Sequence, residues 1–264
     1  NTDARTVVLI ANATHEVISA LGSNPEGTPK QQILAALKFK SNLTDGNYKW
    51  KVGTNPTPIP MYGEAAVNGV KGGMSLSNIN LTRMVARIDV ENKVDASTFK
   101  LQEIYVVNYN IRGYIAPAWN TTNGEILKPT DSDYPYLTNK NPVLPSDASK
   151  QPATKDGSML YPYTQVTGTG PLLEGEIYTY EALKATGDES NDKNNAVCLV
   201  VKGTFDGAEY YYRIDFTKKD ENASPGEVQY MPLYRNNKYI VSITEAEGIG
   251  YSTFDEALAA NTVL

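Results

Sequence analysis

One histidine and one cysteine bound the chemistry that this chain can carry. General acid–base and nucleophilic catalysis ask for a titrating base within reach of a nucleophile. His15 follows an apolar run in a polar, turn-like context with no nucleophile beside it in sequence, and reads as a surface histidine. Cys198 sits inside the run AVCLVV, where a thiol packs as a small hydrophobe and stays protonated. A lone His and a lone Cys cannot build a zinc centre from nitrogen and sulfur ligands. Acidic side chains gather at Asp131 and Asp133, and again at Asp188, Glu189 and Asp192. Neither group has the spacing, central glycine and terminal glutamate of a calcium loop, so both read as solvated loop charge. Gly168 and Gly170 in TGTG lack the Lys-Ser/Thr pair and following helix of a phosphate loop, and read as turn glycines. Tyr210, Tyr211 and Tyr212 could offer rings to a sugar. Successive side chains on a strand alternate faces, however, which favours cross-strand packing over a stacking platform. No catalytic, cofactor or metal site is expected.

The elements that would hold these residues are mostly strands. Thr6 to Ala11 (TVVLIA) is a continuous β-branched run, predicted to be central in its sheet and covered on both faces. A short helix is predicted from Thr28, with Thr28 as cap, Pro29 at the first helical position, Gln31 completing a capping box, and Ile33, Leu34 and Leu37 on one face. Strand fragments around Tyr48 to Val52 are followed by Thr82 to Glu91, in which Met84, Ala86, Ile88 and Val90 share one face, and by Leu101 to Tyr109. From Trp119 to Ser158 the composition turns to Pro, Asn, Asp, Ser and Thr, which predicts a domain change and a long loop. Beyond it come Glu176 to Leu183, a hairpin over Ala196 to Phe216 turning at Asp206-Gly207, a strand at Tyr239 to Thr244, and a helical turn at Thr253 to Ala260. Many short strands between turn signals predict an all-β fold of two sandwich domains, residues 1–122 and 123–264, with one or two short helices.

A net charge of −6 without a basic stripe argues against a nucleic-acid partner, and no apolar run reaches the length of a transmembrane segment. No apolar leader or lipid-attachment cysteine opens the sequence, so the chain is expected to be cytoplasmic or a processed form. The abundance of Tyr over Phe (18 against 5) suits strands whose rings pack while their hydroxyls stay wet, as on an extracellular surface.

Several segments, in order along nearly the whole chain, resemble the fimbrillin family, the subunits of type V pili of Gram-negative anaerobes. RTVVLIAN (residues 5–12) is similar to an early core strand of that family. IPMYG (59–63) followed by LTRMVARI (81–88) resembles its PM-G turn and R-VA strand. IYTYE (177–181), RNNKY (235–239) and GIGYSTFDEA (248–257) resemble its later landmarks. The resemblance implies two tandem transthyretin-like sandwiches and export as an outer-membrane lipoprotein. It also implies proteolytic removal of an N-terminal strand at an arginine, and polymerisation in which a partner's C-terminal strand fills the exposed groove. Arg5 is a candidate processing site, and Val7 and Leu9 are candidate lining of the assembly groove; Leu9→Asp is then expected to damage folding. The expected role is a non-enzymatic structural subunit whose partners are other fimbrial subunits. The alternative is a tip or accessory adhesin that binds a host glycan or protein through the Tyr-rich strands and the 119–158 loop.

Overall fold

The computed structural model describes residues 4–23, 25–40, 49–50, 52–54, 56–76, 78–127, 154–182, 194–219 and 228–260. Strands dominate and the helices are short, so the chain is all-β in class. Its centre is a sandwich of two sheets. One is antiparallel, ordered β11-β10-β6-β8, and is built from β6 (Phe99–Val107), β8 (Met159–Pro162), β10 (Cys198–Phe205) and β11 (Ala208–Asp215). Facing it is β14-β5-β9, built from β5 (Val85–Asn92), β9 (Leu173–Tyr180) and β14 (Lys238–Ile243), in which β14 runs parallel to β5. Ile88, Val90, Leu101, Val106, Ile177, Leu199 and Val201 fill the space between. Asp206 and Gly207 both take left-handed dihedrals, which a tight two-residue hairpin demands, and the β10–β11 register closes at Phe205 and Ala208.

The sandwich's outer face has its own cover. Helix α3 (Phe254–Ala259) starts with a capping box: Glu256 N–H donates to the Thr253 hydroxyl and Thr253 N–H to the Glu256 carboxylate. It lays Phe254 and Ala257 over Tyr105, Val107, Cys198 and Val200. The rings of Phe254 and Tyr105 meet edge to face, 5.3 Å between centroids.

A second core gathers Leu34, Leu37, Trp50, Tyr62, Met84, Ile115, Trp119 and Tyr180. Around it stand β1 (Ala4–Ala11), β3 (Met61–Asn68) and β4 (Thr82–Arg83) in one sheet, the pair β2 (Lys38–Lys40) and β7 (Arg112–Tyr114), and helices α1 (Thr14–Leu21) and α2 (Lys30–Ala36). The remaining pair is β12 (Thr217–Lys219) with β13 (Val228–Tyr230). The two cores are tied through Arg235, which donates to Glu181 (2.7 Å) and to the carbonyls of Ile115 (2.8 Å) and Tyr114 (3.0 Å).

Several expectations need correction. β1 is at the edge of its sheet and not central, because the order is β1-β3-β4. The run 82–91 is two strands: Met84 turns its side chain into the second core and donates its N–H to Pro60, so β4 pairs with β3 while β5 enters the sandwich. Helix α2 begins at Lys30 with Pro29 as its cap residue and no side-chain cap, so the Thr28 capping box does not form. Apart from these corrections, sheet pairing links strands on either side of residues 122 and 123: β5 and β6 pair with β8, β9, β10 and β14. The chain then returns to the second core at Ile115–Trp119. Trp119 and Ile126 bridge in a small turn at the start of the predicted loop, most of which lies outside the described residues, as do Tyr48 and Lys51.

Candidate functional site

β1 pairs with β3 along its whole length, from Ala4 opposite Asn68 to Ala11 opposite Met61. Among the described residues no strand pairs with its other side. In an antiparallel ladder every second residue turns its amide and carbonyl away from its partner, so this side presents a row of backbone groups able to take another strand. The side chains along it are apolar and poorly covered: Leu9 is 44 % exposed and Val8 37 %, with Val7 and Ile10 half-buried. Natural edge strands usually carry charge, proline or a bulge against unwanted pairing. Only Arg5, near the start of β1, is charged.

The local sequence explains this placement. Leu9 sits opposite Gly63, where a Cβ would overlap the Asn80 carbonyl oxygen, so the 79–81 segment packs closely on β3 at this point. Ile10 sits opposite Tyr62, and both reach the second core. Burial first, and then the hydrogen bond to Glu64 (2.6 Å), push the Tyr62 phenol well above its usual range; Glu64 is in turn held by Lys30 at 2.7 Å. Asn12, in the left-handed region, turns the chain from β1 into α1 while its side chain donates to the Ile59 carbonyl at 2.9 Å. On α1, Val17 and Ala20 pack on the core while Ile18 and Leu21 are left exposed beyond β1.

The sequence-derived candidates divide. Arg5, Val7 and Leu9 all lie on β1 and, alternating with Val8, share one face; Arg5 is exposed. Val8, Ile18 and Leu21 were missed: Val8 lies in the uninterrupted apolar run 6–11, which read as buried, while Ile18 and Leu21 lie beyond it on a helix that was not predicted. His15 is exposed on α1, not in a turn, and Cys198 is buried on β10, so the two are held by different cores. Among the described residues no group of three or more His, Cys, Asp or Glu could hold a metal ion. Asp131, Asp133, Asp188, Glu189 and Asp192 lie outside the described residues. Gly168 is a left-handed turn glycine whose carbonyl accepts from Gln165, and Gly170 donates to Asn92. Tyr210 and Tyr212 face the sandwich core while Tyr211 packs under α3, as strand alternation requires.

A second opening lies where the edge strands β11 and β14 diverge. It is a groove of about 660 Å³ lined by Ile214, Val241, Ile243, Glu245 and Ile249, partly closed by the backbone pairing of Tyr211 with Tyr251. No helix of the described residues is long and apolar enough to cross a membrane.

No family model matches the chain, and no curated protein does. Solved structures with a similar fold include a candidate cell adhesion protein from Parabacteroides distasonis, 17 % identical, with a TM-score of 0.50 over 95 % of this chain and 79 % of that one. The tip fimbrial protein Mfa3 from Porphyromonas gingivalis is 18 % identical, with a TM-score of 0.49 over 93 % of this chain and 77 % of that one. A candidate cell adhesion protein from Bacteroides eggerthii is 13 % identical, with a TM-score of 0.46 over 94 % and 72 %. By their descriptions these three are two candidate cell adhesion proteins and one fimbrial tip protein.

Proposed function

We propose that this chain is a non-enzymatic subunit of a bacterial surface fimbria of the fimbrillin kind, which joins neighbouring subunits by strand addition at β1 and supports adhesion. The observation that carries this reading is the open edge of β1, with its apolar side chains in solvent. An added strand would close ladder hydrogen bonds worth about 1 kcal/mol each. It would also cover Val8 and Leu9, for about 1 kcal/mol more apiece, less than full burial because each is already partly covered. Backbone pairing supplies affinity, and the alternating side chains supply register. A subunit that donates at one end and accepts at the other makes a contact that does not close on itself, which yields a filament. In this reading the donor is a partner's C-terminal strand, Val7 and Leu9 line the acceptor groove, and trimming near Arg5 prepares it. Each core acts as one stiff sandwich module, and the protein passes through the outer membrane as a lipoprotein before processing.

Mechanical shearing of cells that express the tagged chain tests the reading. The protein should come off in a high-molecular-weight fibre fraction; recovery solely as a soluble intracellular monomer would refute it. A second reading, a tip or accessory adhesin that binds a host glycan or protein, is favoured by a small basic pocket lined by Arg83, Arg87 and Lys238.

A further inference from the structure

The turn that precedes β14 is fastened to β5. Asn236 N–H donates to the Val85 carbonyl at 2.8 Å, and Arg87 N–H donates to the Asn237 carbonyl at 3.0 Å. This brings together Arg83 and Asn236, 153 positions apart in sequence, and with Tyr178 of β9 they line a cavity of about 250 Å³ whose wall also includes Arg87, Asn237 and Lys238. The chain carries a net charge of −6, yet three cations converge here.

These cations are held differently. Arg87 is locked in place: its Nε and Nη2 donate to the fully buried Asp89 carboxylate at 2.7 and 2.6 Å, and Nη2 also reaches Glu174 at 2.7 Å. Asp89 is itself fixed by the Gly175 N–H at 2.9 Å. Among the described residues the other terminal nitrogen, Nη1, has no hydrogen-bond partner. Among the described residues the exposed Arg83 side chain reaches Asn236 Oδ1 through Nη1 at 3.3 Å, and its backbone N–H lies 3.4 Å from the same oxygen. Lys238 makes no ion pair among the described residues. Two carboxylates therefore face three cations, and one of them, Glu174, is largely in solvent. The pocket retains net positive charge and free N–H donors on a rigid frame.

Resting on the adhesin reading of the chain, we propose that this pocket binds an acidic saccharide, one sugar ring whose carboxylate is taken by Arg83 and Lys238. The planar guanidinium fork of arginine matches a carboxylate, and lysine adds a point charge. Side-chain amides both donate and accept, as hydroxyls do, so Asn236 and Asn237 suit the rest of the ring. The Tyr178 ring supplies an apolar wall beside the Arg87 guanidinium. A cavity of about 250 Å³ takes a single ring and not an extended acidic peptide, which would need a groove. With so few contacting atoms the affinity of one site is about millimolar, and repetition along a fibre would raise the avidity.

The test is an NMR titration of the purified chain with sialyllactose, lactose, a sulfated lactose and an oligoglutamate peptide. Sialyllactose should bind and lactose should not. Arg83→Ala and Lys238→Ala should each weaken binding at least about tenfold, the loss expected for a charge-assisted hydrogen bond. Both side chains are exposed, so the melting temperature should not move, and Lys100→Ala, exposed on β6, should leave binding intact. Added salt should weaken the complex. Equal binding of lactose and sialyllactose, or binding unmoved by both variants, would overturn the pocket while leaving the adhesin reading in place. Absence of binding to any saccharide, by a chain that still enters fibres, would remove the pocket together with the glycan form of the adhesin reading, leaving a protein ligand as its remaining form. Preference for the sulfated sugar or the peptide with the same dependence on Arg83 and Lys238 would overturn the carboxylated-sugar assignment.

Discussion

β1 and β10 are both runs of β-branched and aliphatic residues, TVVLIA in one and CLVV in the other. β10 is hydrogen-bonded on both sides, to β6 and β11. Its inward residues Leu199 and Val201 lie between the two sheets, and its outward residues Cys198 and Val200 lie beneath α3. Among the described residues β1 is bonded on one side, to β3, and leaves Val8 and Leu9 in solvent. Composition alone therefore does not decide burial; neighbours do. An apolar strand sealed by its own chain contributes stability, whereas the same kind of strand at a bare edge is a hazard unless a second molecule covers it.

The largest effect that separates the two strands comes from a charge placed in β10. Leu199→Asp would bury an unpaired carboxylate in the sandwich, at a cost of more than about 4 kcal/mol. The expected outcome is loss of the cooperative melting transition. A soluble variant with a normal melt would mean that β10 is not sealed. A smaller effect follows from lifting the cover on its outer face. Phe254→Ala removes the ring packed on Tyr105, at about 3 kcal/mol. Burial pushes the Cys198 thiol up to about 12, so in the wild type it should resist a thiol-specific disulfide reagent at neutral pH. The variant should label many times faster; equal labelling rates would show that α3 does not guard this face.

What could be read in advance follows the same division between local and long-range causes. The β10–β11 hairpin was legible because Asp206-Gly207 supplies the left-handed dihedrals that the turn requires. The helical turn after Thr253 was legible as a short segment, and the structure shows why it forms there: Glu256 completes a capping box with Thr253. Helix α1 was not legible, since its core-facing stripe amounts to the half-buried Val17 and Ala20 and directly follows a strand. The edge position of β1 depends on which strands stand beside it, and nothing in TVVLIA records that. The parallel pairing of β5 with β14 brings Arg87 beside Lys238 from the other half of the chain, a long-range partnership that neither segment records by itself. Arg83, Arg87 and Lys238 therefore gave no signal as a group. Val7 and Leu9 were legible as strand residues, but their surroundings were not.

A third effect concerns the sandwich sheet that carries the basic pocket. Burial raises the Asp89 carboxyl, but the Arg87 guanidinium and the Gly175 N–H outweigh it and hold the group below its ordinary value. A carboxyl with a folded value below its unfolded one stabilises the protein fully above the ordinary carboxylate range, and that contribution is lost as pH falls through the folded value. The wild type should therefore lose stability in a step below about pH 4. Asp89→Asn should lack that step and be about 2 kcal/mol less stable at neutral pH. Denaturant melts across this range check both; identical acid limbs would show that the pair contributes nothing.

The smallest effect on folding, and the most informative, is expected at Leu9. Its exposure leads to a different expectation for Leu9→Asp than damage to the fold: the stability of the isolated subunit should change by less than about 1 kcal/mol. The direct measurement is fibre incorporation of Leu9→Asp and Val8→Lys subunits, scored by electron microscopy and sedimentation beside the melting curve of each monomer. If β1 is an acceptor edge, both variants melt like the wild type and fail to enter fibres. Variants that melt normally and polymerise as well as the wild type would contradict the assignment of β1 as the assembly edge.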